Sequence, residues 1–83
     1  MYFVYILRTS SNSLYTGQTN NLERRIKEHS EKKGKESKYL RRFKSFELVY
    51  TEKHDTRGKA LKREIEIKKL TKEKKEALIN SKI

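Results

Sequence analysis

The chain has 83 residues, 33% of them apolar and 40% charged, which allows one domain over residues 1–83 and burial of only about 60% of the unfolded surface. It holds no Cys, no Pro and no long apolar run, and its start, MYFVYILRTS, lacks a basic n-region and small cleavage-type residues; this excludes a disulfide framework, a Cys-ligated metal and a membrane span, and the expectation is a cytoplasmic protein without a signal peptide. With 22 Lys plus Arg against 11 Asp plus Glu, a formal net charge of +11, the first partner to expect is a polyanion, nucleic acid above all.

Tyr2 to Leu7 is an unbroken apolar and aromatic run, which predicts a strand covered on both faces. Ser10, Ser11, Asn12 and Ser13 supply turn chemistry, and Leu14 to Thr19 reads as a second strand, so residues 2–19 form a hairpin. Gly17 interrupts that strand, which marks a bulge or a close approach by another group. Asn20 is the expected cap of a helix, with Glu23 three residues on in a capping-box arrangement. The helix runs from about Asn21 to Glu31, with a narrow stripe of Leu22, Ile26 and His29. Residues 31–44 carry seven Lys or Arg against two Glu, a local net of +5, with Gly34 ending the helical region and Tyr39 and Phe43 interleaved. Phe46 to Lys53 is the third strand, with Phe46, Leu48 and Tyr50 on one face by period 2. Asp55 or Thr56 caps a second helix holding Ala60, Leu61, Glu64, Ile65, Ile67 and Lys68. Leu70 and Thr71 break it, and Thr71 caps a last helix from Lys72 to about Ser81. The order β-β-α-β-α-α, with an antiparallel hairpin, gives an α+β fold.

Four positions break the patterning. At 100° per residue, with Ala60 at zero, Glu64 lies at about 40° between Ile67 at about −20° and Leu61 at about 100°. Its carboxylate therefore sits in the apolar sector, where a charge needs a cation, a metal or water. It reads either as a metal ligand or catalytic carboxylate, or as a boundary residue paired with Lys68 at i+4. Arg25 borders the stripe of the first helix, one turn before His29, and Arg24 faces away. An arginine there either holds a phosphate by its planar fork or covers the core with its stem. His29 alone reads more readily as a boundary residue than as a ligand. Tyr5 and Tyr15 share a face in either hairpin register, as two core rings or as two phenols facing a phosphate. Together, two tyrosines, an arginine and a carboxylate on inward faces of a basic domain suit phosphodiester hydrolysis. Magnesium takes oxygen ligands and keeps several waters, so one Glu suffices as its protein ligand.

At this point the order of residues resembles the GIY-YIG nuclease superfamily, in particular its short single-domain bacterial members. Val4-Tyr5-Ile6 stands at the first motif and Tyr15-Thr16-Gly17 at the second, with ten residues from tyrosine to tyrosine. Arg25 follows the motif glycine by eight residues, and Glu64 falls at the family's metal-binding glutamate within KALKREIEIKKLTKEKKEALI. The resemblance implies a sheet of three antiparallel strands flanked by helices. It implies one divalent ion, Mg2+ or Mn2+, on Glu64, Arg25 at the scissile phosphate, and Tyr15 with Tyr5 around the attacking water. His29 occupies a place where relatives put a tyrosine or histidine near the site. The departures are Val-Tyr-Ile for Gly-Ile-Tyr, Thr16 for Ile, a neutral Gln18 where DNA-repair relatives carry a basic residue, and Glu76 near the place of an asparagine on the final helix.

The leading expectation is a metal-dependent endonuclease acting on DNA in preference to RNA. Lys32, Lys33, Lys35, Lys38, Arg41 and Arg42 would hold backbone phosphates, or else form a solvated loop. Relatives carry this domain beside a DNA-binding or second nuclease domain, which leaves room for a partner protein that supplies substrate choice. The alternative is a non-catalytic nucleic-acid-binding module on the same scaffold.

Overall fold

A computed structural model describes residues 1–30 and 45–81 of the chain. The basic segment, with Lys32, Lys33, Lys35, Lys38, Arg41, Arg42 and the interleaved Gly34, Tyr39 and Phe43, lies outside the described residues. The elements come in the expected order: β1 (Tyr2–Thr9), β2 (Leu14–Thr19), α1 (Leu22–Ser30), β3 (Phe46–His54), α2 (Arg57–Lys68) and α3 (Lys72–Asn80). The strands make one antiparallel sheet in the order β2-β1-β3.

Because β1 is central, both of its faces are covered. Val4, Tyr5, Ile6 and Leu7 are all at most 1% exposed, which is why this strand is apolar without alternation. Val4 and Ile6 join Tyr50 of β3 and Ala60 and Ile67 of α2, with Leu78 and Ile79 of α3 against them. Tyr5 and Leu7 join Leu22 and Ile26 of α1 and Phe46. The described residues thus form three layers: α1 on one face of the sheet, α2 and α3 on the other.

Caps and turns follow local chemistry, with one shift. The side-chain oxygen of Asn21 accepts from the Arg24 amide at 3.0 Å, so the α1 cap is Asn21 and not the preceding Asn20. Thr56 and Thr71 cap α2 and α3, each accepting from the amide three residues on at 3.2 Å. The β1–β2 turn places Asn12 at φ 68°, a left-handed conformation that asparagine tolerates.

The expected face of β3 is corrected. Phe46 packs on the α1 side and Tyr50 on the α2 side, while Leu48 is 42% exposed. Ile6 pairs with Tyr50 but Leu7 pairs with Leu48, so Val49 is an extra residue. Such a bulge inverts the alternation of the strand at that point. Among the described residues, no helix is long and apolar enough to cross a membrane.

Candidate active site

The hairpin register pairs Tyr5 with Gly17 and Leu7 with Tyr15, which sets both phenol rings on the α1 face. The Tyr5 ring lies directly over Gly17. A Cβ on that glycine would meet Tyr5 Oη at 2.5 Å and Cζ at 2.7 Å, so the glycine records a close approach and not a bulge. Tyr5 Oη and His29 Nε2 share a hydrogen bond of 3.0 Å. In one histidine tautomer the phenol donates; in the other the ring N–H does. His29 is fully buried, which corrects the reading of it as a boundary residue: it is the last member of the α1 stripe that lies on the sheet. Tyr15 packs edge-on to His29, with centroids 5.6 Å apart, and lies 6.4 Å from the Tyr5 ring. Phe46 closes on His29 at 6.1 Å, also edge-on. Tyr5 and His29 are sealed, whereas Tyr15 is only half-buried.

Arg25 stands one turn before His29 on α1, with its side chain 23% exposed and Glu28 Oε1 at 3.7 Å. It lines a cavity of about 220 Å³ together with Tyr2, Gln18, Asn20, Arg24 and Arg57. These residues come from the start of β1, the end of β2 and the N-termini of α1 and α2, so the cavity joins the two helical layers around the edge strand β2. Sequence reasoning placed Arg24 away from the stripe, and it is exposed, yet it lines this cavity. Neither Arg24 nor Arg57 was singled out from the sequence. The signal that was available is charge placement: both are cations in a first helical turn, where the helix dipole favours anions.

Glu64 sits between Ala60 and Ile67 on the side of α2 that faces the sheet, with its side chain 17% exposed. Lys68 Nζ approaches Glu64 Oε2 at 3.6 Å, longer than a hydrogen bond. Both features anticipated for this residue are therefore present, the apolar-sector placement and the i+4 partner. Tyr5, Tyr15 and His29 touch one another and Arg25 is their neighbour on α1, whereas Glu64 belongs to the layer across the sheet. β2 is an edge strand, so a ligand lying along that edge has access to both layers.

The described arrangement places this chain among known proteins. Residues 1–77 match the family profile described as the GIY-YIG catalytic domain. The chain belongs to the GIY-YIG family. It is 49% identical over 82 residues to a UPF0213 protein of Clostridium perfringens, covering 99% of this chain and 86% of that one. It is 45% identical over 78 residues to a UPF0213 protein of Natronomonas pharaonis, covering 94% and 89%. The solution NMR structure of a UPF0213 protein from Bacillus halodurans is similar at 41% identity and TM-score 0.63, covering 99% of this chain and 86% of that one. GIY-YIG membership makes this a nuclease-type domain, of a kind that interacts with nucleic acid and typically uses a divalent metal.

Whether GIY-YIG metal chemistry fits these residues is decided by the oxygens on the α2 face. Thr16 and Gln18 pair with Ile6 and Val4, which turns their side chains to that face. Thr16 Oγ1 and Gln18 Oε1 are buried without a hydrogen-bond partner among the described residues. Like the shielded Glu64 carboxylate, they are hard oxygen donors of the type magnesium accepts. Among the described residues, no three His, Asp or Glu side chains cluster as a cage. Glu76, the departure on the final helix, has a separate task. Arg8 donates to both of its carboxylate oxygens, at 2.6 and 2.7 Å, and this fork ties the hairpin to α3.

Proposed function

We propose that this protein is a divalent-metal-dependent endonuclease that hydrolyses phosphodiester bonds in DNA, acting as one domain over residues 1–83 in the cytoplasm, with substrate choice open to a partner protein. The observation that carries the reading is the half-buried Tyr15 held over the sealed Tyr5–His29 pair, next to Arg25 and a cavity lined by guanidinium groups.

In this reading Tyr15, Arg25 and Glu64 face the substrate, and Tyr5 and His29 act through Tyr15. The Tyr5–His29 bond fixes the imidazole, and the imidazole edge fixes the Tyr15 ring. Tyr15 Oη orients the attacking water and, as phenolate, accepts its proton. A free phenol titrates near about 10, so this role needs the cationic neighbourhood that Arg25 begins. The Arg25 guanidinium binds two non-bridging phosphate oxygens and stabilises the charge that develops on them. Water adds to phosphorus, one P–O ester bond breaks, and the departing oxygen takes up a proton. Glu64, with the oxygens of Thr16 and Gln18 on the same face, would hold the divalent ion, which supplies Lewis-acid stabilisation of the phosphate when bound.

The test is cleavage of branched, nicked, single-stranded and duplex DNA with Mg2+ or Mn2+ by the parent and by Glu64→Ala. The expected result is metal-dependent cutting of at least one substrate by the parent and none by the variant, with DNA binding retained. A variant that cuts like the parent overturns the site. The Glu64–Lys68 ion pair favours the second reading, a binding module without turnover; that reading prevails where the parent binds every substrate and cuts none.

A further inference from the structure

The cavity between α1, the end of β2 and the start of α2 has a lining that the cleavage chemistry does not use up. Among the described residues that line it, Arg25 is one of three guanidinium groups and none is a carboxylate. Arg57 is the first residue of α2, whose first turn holds no acidic residue. Arg24 is the third helical residue after the Asn21 cap of α1. Both charges stand where the helix dipole opposes a cation, at a cost to each helix. Among the described residues, neither guanidinium has a hydrogen bond or ion pair to offset that cost. The amides of Gln18 and Asn20 add neutral donors to the same walls.

We infer that this cavity seats a nucleic-acid backbone phosphate beside the one that is cut, held by Arg24 and Arg57 while Arg25 turns to the scissile group. The inference rests on the nuclease reading for the position of the cut and on the cavity itself for the anion. Two planar forks on different helices grip one phosphate from two sides and carry no base-edge recognition, so the seat fixes strand position and not sequence. It also links the layers: a strand anchored by Arg57 on α2 and Arg24 on α1 must pass over the β2 edge.

The experiment is equilibrium binding of duplex and single-stranded oligonucleotides, by fluorescence anisotropy from 50 to 200 mM salt, for the full chain carrying Arg24→Gln, Arg57→Gln or both. Lys59→Gln is the charge-matched control, because Lys59 is engaged with Asp55 at 3.1 Å. For duplex DNA each arginine change should lower the salt slope by about 0.9, so that the loss of affinity across this range is about 3.5-fold smaller. Lys59→Gln should keep the parental slope. Thermal melts check that the exposed substitutions leave folding intact. Parental slopes in both arginine variants, or an equal fall in the Lys59 variant, overturn the seat. Inorganic phosphate is the second probe, read by NMR at the Arg24 and Arg57 Nε–H groups. Shifts with oligonucleotide support the proposal; shifts with inorganic phosphate alone assign the cavity to free anions and overturn it. None of these readouts involves cleavage, so failure here and failure of the nuclease reading are separate results.

Discussion

A single glycine decides where the phenol of Tyr5 can be. The ring occupies the space that a side chain at Gly17 would take, and its oxygen reaches the imidazole of His29 only from there. Gly17→Ala should therefore push the ring off that bond. Overpacking of this kind costs about 1–3 kcal/mol, and urea unfolding together with the His29 ring signals in NMR would report both effects. An alanine variant with parental stability and unshifted His29 signals would remove Tyr5 from its role as a prop. Tyr5→Phe asks the same question more gently, since it deletes only the oxygen. It strips His29 Nε2 of a buried hydrogen bond and should cost about 1–3 kcal/mol, with Tyr15 less well held and cleavage slowed accordingly.

Between elements, the join of β3 to α2 depends on Glu52. Its carboxylate accepts from Tyr50 Oη at 2.5 Å and from Arg63 Nε at 2.8 Å, and pairs with His54 Nε2 at 2.8 Å. Burial alone would raise its pKa, but the bonds from Tyr50, His54 and Arg63 outweigh burial and hold it below the ordinary carboxylate value. Burial and the neighbouring Glu52 charge push the Tyr50 phenol up. A carboxyl whose folded pKa is depressed stabilises the fold fully above its unfolded value, about 4.3, and loses that contribution as pH falls through the lower folded value. Glu52→Gln should thus lower stability by about 1–3 kcal/mol near neutral pH and flatten the acid limb of a urea-midpoint profile. An unchanged acid limb would show that Glu52 does not couple β3 to α2. This cluster also marks the limit of what periodicity conveys. The strands, helices and threonine caps were legible because apolar runs, turn residues and caps act within a few residues. The bulge at Val49 was not, since it arises only when β3 is laid against β1. The α1 stripe was legible, but the sealing of His29 needed Tyr5 and Phe46 from distant strands. Helix and strand faces, and then motif spacing, brought out Tyr5, Tyr15, Arg25 and Glu64, whereas Arg24 and Arg57 show their common purpose only when two helix starts meet.

At the scale of the molecule, the proposed division of labour runs across the sheet. In that proposal Tyr15, with Tyr5, His29 and Arg25, works from the α1 layer and Glu64 from the α2 layer; β2, with Thr16 and Gln18 on one face and Tyr15 and Gly17 on the other, is the edge between them. A net charge of +11 draws polyanions to the whole surface, so binding alone does not report this convergence. The central claim is that both layers act on one phosphate in one step. It is tested most directly by single-turnover DNA cleavage rates for the parent, Arg25→Lys, Glu64→Gln and the double variant. Groups that act as a unit are strongly non-additive. The account predicts that each single change slows cutting by more than about tenfold and that the double variant is hardly slower than the worse single one. Effects that multiply, or a Glu64→Gln variant cutting at the parental rate, would contradict it.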